Sequence, residues 1–211
     1  MQTSTGIYSN RAKRLEEALI AYRQRLKNNL RDDLAYVSLA EVFNSLGRYE
    51  EALKAYEYAI SLNPNRVSAY LGKVEAFMNL HRYEEAMEAC KQAIAHSPSE
   101  ATAYMVIGDI LTYLQHDREA LTAYVRALQL NPRNARIYNN LAVLLTQMHH
   151  YEEAQHSYEQ AIQLEPEEAF YYYNLSNLLE QRGRSQEAAQ AYMIAEELNL
   201  QAAKTAILEA A

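Results

Sequence analysis

The chain has 211 residues, with 20 Lys and Arg against 27 Asp and Glu, a formal net charge of −7. That length allows a sizeable core, and a hydrophobic share of 49% excludes a wholly disordered chain. The acidic balance argues against a general nucleic-acid binder, because neutralising phosphates needs a Lys/Arg surface, and no apolar run is long enough to span a bilayer.

Residues 1–10 are polar, read as a disordered N-terminus and lack the apolar segment of a signal peptide. Residues 11–32 predict one helix, through Leu15, Ala18, Leu19 and Tyr22. Beyond it a period appears. Pro64, Pro98, Pro132 and Pro166 recur every 34 residues, and a fixed period of this size marks a repeat architecture. The register that places these prolines at position 32 divides the chain into repeats 33–66, 67–100, 101–134, 135–168 and 169–202. Residues 203–211 remain as a C-terminal capping helix. Residues 14–22 align with residues 48–56, one period on, so the first helix is a half repeat that lacks its partner.

Within a repeat, positions 4, 7, 8 and 11 form one helix face, as Tyr36, Leu39, Ala40 and Phe43 show. Positions 17, 20, 24 and 27 form a face of a second helix, as Tyr49, Ala52, Tyr56 and Ala59 show. Alanine at 20 and 27 lets helix axes approach, while tyrosines fill the space around them. Gly47 and Gly183 stand at position 15, where a left-handed residue ends the first helix. Proline at 32 lacks an N–H and forces its predecessor out of the helical region, which ends the second helix. Repeat two departs from the pattern with Lys73, Val74 and Cys90, and repeat five has Leu200 in place of proline. A helical pair this small cannot bury both faces alone, so neighbours stack. The expected fold is all-α, a right-handed α-solenoid of stacked antiparallel helix pairs with a concave inner face.

The pattern resembles the tetratricopeptide repeat family, whose repeat has the same 34-residue period. Tyr138 to Leu145 matches its aromatic-x-x-Leu-small signature, and five repeats cover 33–202. The resemblance implies a non-catalytic scaffold that binds a peptide or helix of a partner protein. It also implies that positions 2, 5, 6, 9, 12 and 13 of each repeat line the concave groove. On this basis the candidate groove residues are Glu41, Leu71, Glu75, Met105 and Asp109 toward the N-terminus. Toward the C-terminus they are Arg136, Asn139, Asn140, Phe170, Tyr173, Asn174 and Asn177. Glu41, Glu75 and Asp109 share position 9 and predict a carboxylate row, with Val37, Leu71 and Met105 as an apolar strip beside it. That combination calls for a partner segment carrying basic and apolar residues. Asn140 and Asn174 share position 6, where an amide can pair with the backbone of an extended peptide. The Lys and Asn set with which chaperone-binding members of the family grip a C-terminal carboxylate is not assembled by any three consecutive repeats.

Catalytic and metal chemistry find little support. The paired carboxylates Glu16-Glu17, Glu50-Glu51, Glu84-Glu85 and Glu152-Glu153 fall in the first turn of second helices, where they complement the helix dipole. His149, His150 and His156 lack the spacing of helical metal ligands. Cys90 occupies a core position and reads as a small apolar filler. No phosphate loop or nucleophile elbow occurs, so neither an enzyme nor a cofactor is expected. A single cysteine fits a reducing compartment, and the array reads as bacterial and cytoplasmic. A monomer or weak homo-oligomer is expected, the alternative being a structural module that assembles through its terminal helices.

Overall fold

The computed structural model describes the backbone of residues 3–209 and the side chains of residues 13–206. Among these residues there are eleven helices and no strand. α1 (Thr3–Asn28) precedes five pairs: α2 (Asp33–Ser45) with α3 (Tyr49–Leu62), and α4 (Val67–Asn79) with α5 (Tyr83–His96). The remaining pairs are α6 (Ala101–Tyr113) with α7 (Asp117–Leu130), α8 (Ala135–Gln147) with α9 (Tyr151–Leu164), and α10 (Ala169–Gln181) with α11 (Ser185–Glu209). The even-numbered members are called A helices here, and their partners B helices. The architecture is the all-α, α-solenoid stack of helix pairs that the repeat predicts.

Two ends differ from the repeat register. α1 begins at Thr3, inside the stretch 1–10 that the sequence marks as disordered. α11 runs unbroken to Glu209 through residue 202, where the register places a separate capping helix. Its physical reason is Leu200: without a proline at position 32, nothing forces the preceding residue out of the helical region. Where proline is present the restriction is visible. Asn63, Ser97, Asn131 and Glu165, each just before a proline, cap their B helices at φ of −142°, −141°, −137° and −136°. Met1, Gln2, Ala210 and Ala211 lie outside the described residues.

Each A helix ends in the same turn. The N–H at position 15 donates to the carbonyl of position 12, and that of position 16 donates to position 11, all at 2.8–3.1 Å. This double bond pattern satisfies carbonyls that a helix end leaves open. It requires a left-handed residue at position 15, and Gly47 (φ 71°) and Gly183 (φ 72°) supply it. His81, Gln115 and His149 hold the same conformation at φ 57–62° without glycine's freedom.

The chain forms two compact units, residues 1–103 and 104–211. In the first, Leu19 and Leu26 of α1 join one core with Ala35, Leu39, Ala40 and Phe43 of α2. Ala52, Tyr56 and Ala59 of α3 and Ala69 of α4 complete it. In the second unit, Ala135, Ala161 and Tyr171 form one buried cluster and Leu179, Ala188 and Ala191 another. The alanines at positions 20 and 27 are fully buried or nearly so throughout. Lys73, at an expected core position of repeat two, reaches Glu57 at 3.6 Å and lies over the Phe77 ring.

Candidate binding face of the A helices

Position 16 precedes each B helix with an arginine or a histidine that turns back onto the carboxylate three residues later. Arg48 pairs with Glu51, Arg82 with Glu85 at 2.5 Å, and Arg184 with Glu187 at 2.6 Å. His116 and His150 hold the same places opposite Glu119 and Glu153. Arg48 and Arg82 also lie over Phe43 and Phe77, each 4.8 Å from the ring centroid. The position-19 carboxylates of the B helices are thus used in the turns. The A helices carry carboxylates of a different kind.

In the first unit, α2 and α4 present Glu41 and Glu75, both exposed. Neither has a cation in contact among the described residues. Enough protein surrounds Glu41 for burial to raise its carboxyl above the ordinary range, and the Glu75 charge adds to the shift. Beneath them Tyr56 of α3 packs its ring against Gly72, which any side chain at that position would strike. Burial pushes the Tyr56 phenol well up, and both carboxylates reinforce it. Asn44 is 7% exposed, and its amide nitrogen is shared among Tyr56 Oη, the Gly72 carbonyl and Glu75 Oε2 at 3.3–3.4 Å. Its Oδ1 is buried without a partner among the described residues.

The apolar strip expected beside the carboxylates is not a surface along its length. Val37 and Met105 are 4% and 2% exposed, and only Leu71 is partly open. The reason is rotational: position 5 turns into the packing, so an apolar side chain there joins the core. Asn139, at the same position, is likewise buried.

In the second unit the A-helix face carries a hydrogen-bond relay. Asn174 of α10 donates to Asn139 Oδ1 of α8 at 2.8 Å, and Asn139 donates to Asn140 Oδ1 at 3.0 Å. Asn140 donates in turn to Asp109 Oδ1 of α6 at 2.8 Å. Tyr124 of α7 donates its hydroxyl to the same oxygen at 2.7 Å. Burial raises the Asp109 carboxyl above the ordinary range, against the Tyr124 and Asn140 hydrogen bonds and the Arg136 charge, which lower it. The two position-6 amides thus each donate to a residue of a neighbouring A helix.

The other candidates are dispersed. Arg136, Phe170 and Asn177 are exposed. Tyr173 is drawn to α11, donating to Glu196 Oε1 at 2.6 Å and accepting from Asn199 at 2.9 Å, with the Tyr192 ring edge-on at 5.5 Å. Sequence reasoning singled out neither Asn44 nor Tyr124. Asn44 occupies position 12, inside the set of groove positions. Tyr124 reads as core filler, and its hydroxyl betrays no role until Asp109 is seen beside it. Among the described residues no group of three or more His, Cys, Asp and Glu is placed to hold a metal ion. No described helix is long and apolar enough to cross a membrane.

Family models described as tetratricopeptide repeat match residues 11–67, 44–110, 135–168 and 157–190, and one described as TPR repeat matches 108–149. No curated protein matches the chain. Among solved structures, MamA is similar with a TM-score of 0.65 at 24% identity, covering 79% of this chain and 97% of that one. PilF of Pseudomonas aeruginosa gives 0.72 at 22% identity, over 79% of this chain and 77% of that one. YrrB, described as a TPR protein with an unusual peptide-binding site, gives 0.59 at 22% identity, over 87% of this chain and 98% of that one. At these identities the likeness is one of fold.

Proposed function

Because the chain belongs to the tetratricopeptide repeat family, we propose that it is a non-catalytic scaffold holding a segment of a partner protein on its A-helix face. The observation that carries this reading is a contrast between carboxylates. Those at position 19 of the B helices each face a residue of the turn, whereas Glu41 and Glu75 face no cation among the described residues. Two like charges kept together, one of them partly desolvated, repel, and a basic partner relieves that repulsion. The partner is therefore a protein segment with basic residues, and an apolar residue beside them meets the partly open Leu71.

The likeness to a structure described as having a peptide-binding site agrees with this use of the fold, and the function rests on the residues. Selection of a random peptide library against the protein tests the polarity. Basic sequences whose binding weakens in Glu75→Lys support the reading. Acidic sequences whose binding improves in that variant contradict it.

A further inference from the structure

The Asp109 carboxylate differs from the other carboxylates on the A helices. Oδ1 is held twice, by the Tyr124 hydroxyl and by the Asn140 amide, and both donors are neutral. Oδ2 accepts no hydrogen bond among the described residues, yet it is not sealed from solvent. No cation touches the carboxylate; Arg136, exposed on α8, acts on it only through space. A carboxylate drawn this far from water is ordinarily paired with a cation, because hydrogen bonds from neutral groups replace only part of its hydration.

The relay fixes where that missing cation would sit. Asn140 is itself held by Asn139, and Asn139 by Asn174, so three residues on two helices set the direction of Oδ2 before anything binds. Preorganisation of this kind lowers the ordering penalty of association. Val106 precedes Asp109 by one helical turn and Val143 follows Asn140 by one turn, and both are partly exposed. They give an apolar bed for a long side-chain stem whose charged head reaches the carboxylate.

We propose that Asp109 anchors an arginine of the partner segment, with the guanidinium donating to Oδ2 and its stem lying over Val106 and Val143. Arginine fits better than lysine, because a guanidinium is more weakly hydrated than an ammonium and loses less on entering a partly enclosed site. The inference rests on the reading of the A-helix face as a peptide-binding surface, and it names the side chain that the second unit selects.

The test is an NMR titration of the full-length protein with three capped peptides, Ac-Gly-Val-Xaa-Val-Gly-NH2, in which Xaa is arginine, lysine or citrulline. Asp109→Asn is the companion variant. It retains an acceptor for Tyr124 and Asn140 and removes only the charge. The arginine peptide is expected to shift amides of α6 and α8 and the Asp109 carboxyl carbon. Citrulline in the peptide, or Asn at position 109, weakens binding about tenfold or more. Tyr124→Phe, which frees Oδ1, weakens it less. Equal affinity for the citrulline peptide, or full affinity in Asp109→Asn, with shifts still on the A helices, would overturn the arginine site and leave the peptide surface standing. Lysine equal to arginine would overturn the choice of guanidinium. Shifts confined to α7 and α9, or none with any of the three peptides, would count against the site and against the face itself.

Discussion

Five turns of one shape carry three kinds of residue at their left-handed position. Gly47 and Gly183 hold it without strain, whereas His81, Gln115 and His149 hold it with a Cβ that crowds the following carbonyl. The closing hydrogen bonds are the same in all five, but His81 and His149 add a side-chain contact to the Tyr83 and Tyr151 hydroxyls at 2.9 and 2.8 Å. Gln115→Gly, at a side chain with no such contact among the described residues, is therefore expected to raise stability by about 0.5–1 kcal/mol, the relieved strain outweighing glycine's larger unfolded-state entropy. Gly47→Ala should lower it by about 1 kcal/mol, although nothing lies within 4 Å of the added carbon. Chemical denaturation midpoints with an unchanged slope check both.

Asp109 gives a second prediction at this scale. Its folded carboxyl titrates above its ordinary value, mainly through burial, so the ionised form is the disfavoured one. Between the ordinary and the raised value the folded state holds more protons than the unfolded state, and stability falls as pH rises through that window. Asp109→Asn has no such term. The melting temperature of the variant relative to the parent should therefore rise from acidic to neutral pH. A relative melting temperature that falls with pH would mean that the ionised form is favoured in the fold.

At the scale of the helix, the pair is defined by what its small residues permit. Ala127 is fully buried on α7 between helices whose axes approach closely because no longer side chain intervenes. Ala127→Leu should cost about 1–3 kcal/mol through overpacking. Glu119→Ala, on the exposed side of the same helix, should cost well under about 1 kcal/mol. Equal denaturation midpoints for the two would mean that the faces of α7 are wrongly assigned.

These faces were legible in the sequence because tyrosine, alanine and proline recur at fixed positions, and each leaves a periodic trace. Side-chain partnerships across repeats leave no such trace. Asn140 and Asn174 share a position and read as two equivalent amides for a ligand, yet Asn140 bonds Asp109 and Asn174 bonds Asn139, on the neighbouring A helices. Sequence spacing gives the face of a residue but not the rotamer that decides between a ligand and a neighbour. Position 5 fails for a related reason. It lies at the margin of the face, and the packing of adjacent A helices decides whether Val37 or Met105 is open; in the fold both are closed. The double variant Asn140→Ala with Asn174→Ala should consequently lose stability as well as any ligand contact, because it leaves Asn139 and Asp109 short of partners.

For the whole molecule, the period accounts for the succession of helix pairs, and the two terminal departures follow from local composition. The continuous α11 records the missing proline of repeat five. The net charge of −7 sets the sign of the long-range field but does not locate it. Among the described residues, Glu41, Glu75 and Asp109 stand at position 9 of three A helices without a cation in contact. A basic partner should therefore associate more slowly as salt is raised, since screening acts on the approach. The most direct measurement is an amide chemical-shift map of the full-length protein with its tightest library-selected peptide. Perturbations are expected along α2 and α4 around Glu41 and Glu75, or along α6, α8 and α10 around Asp109. Perturbations centred instead on the exposed sides of α3, α5, α7 and α9 would contradict it.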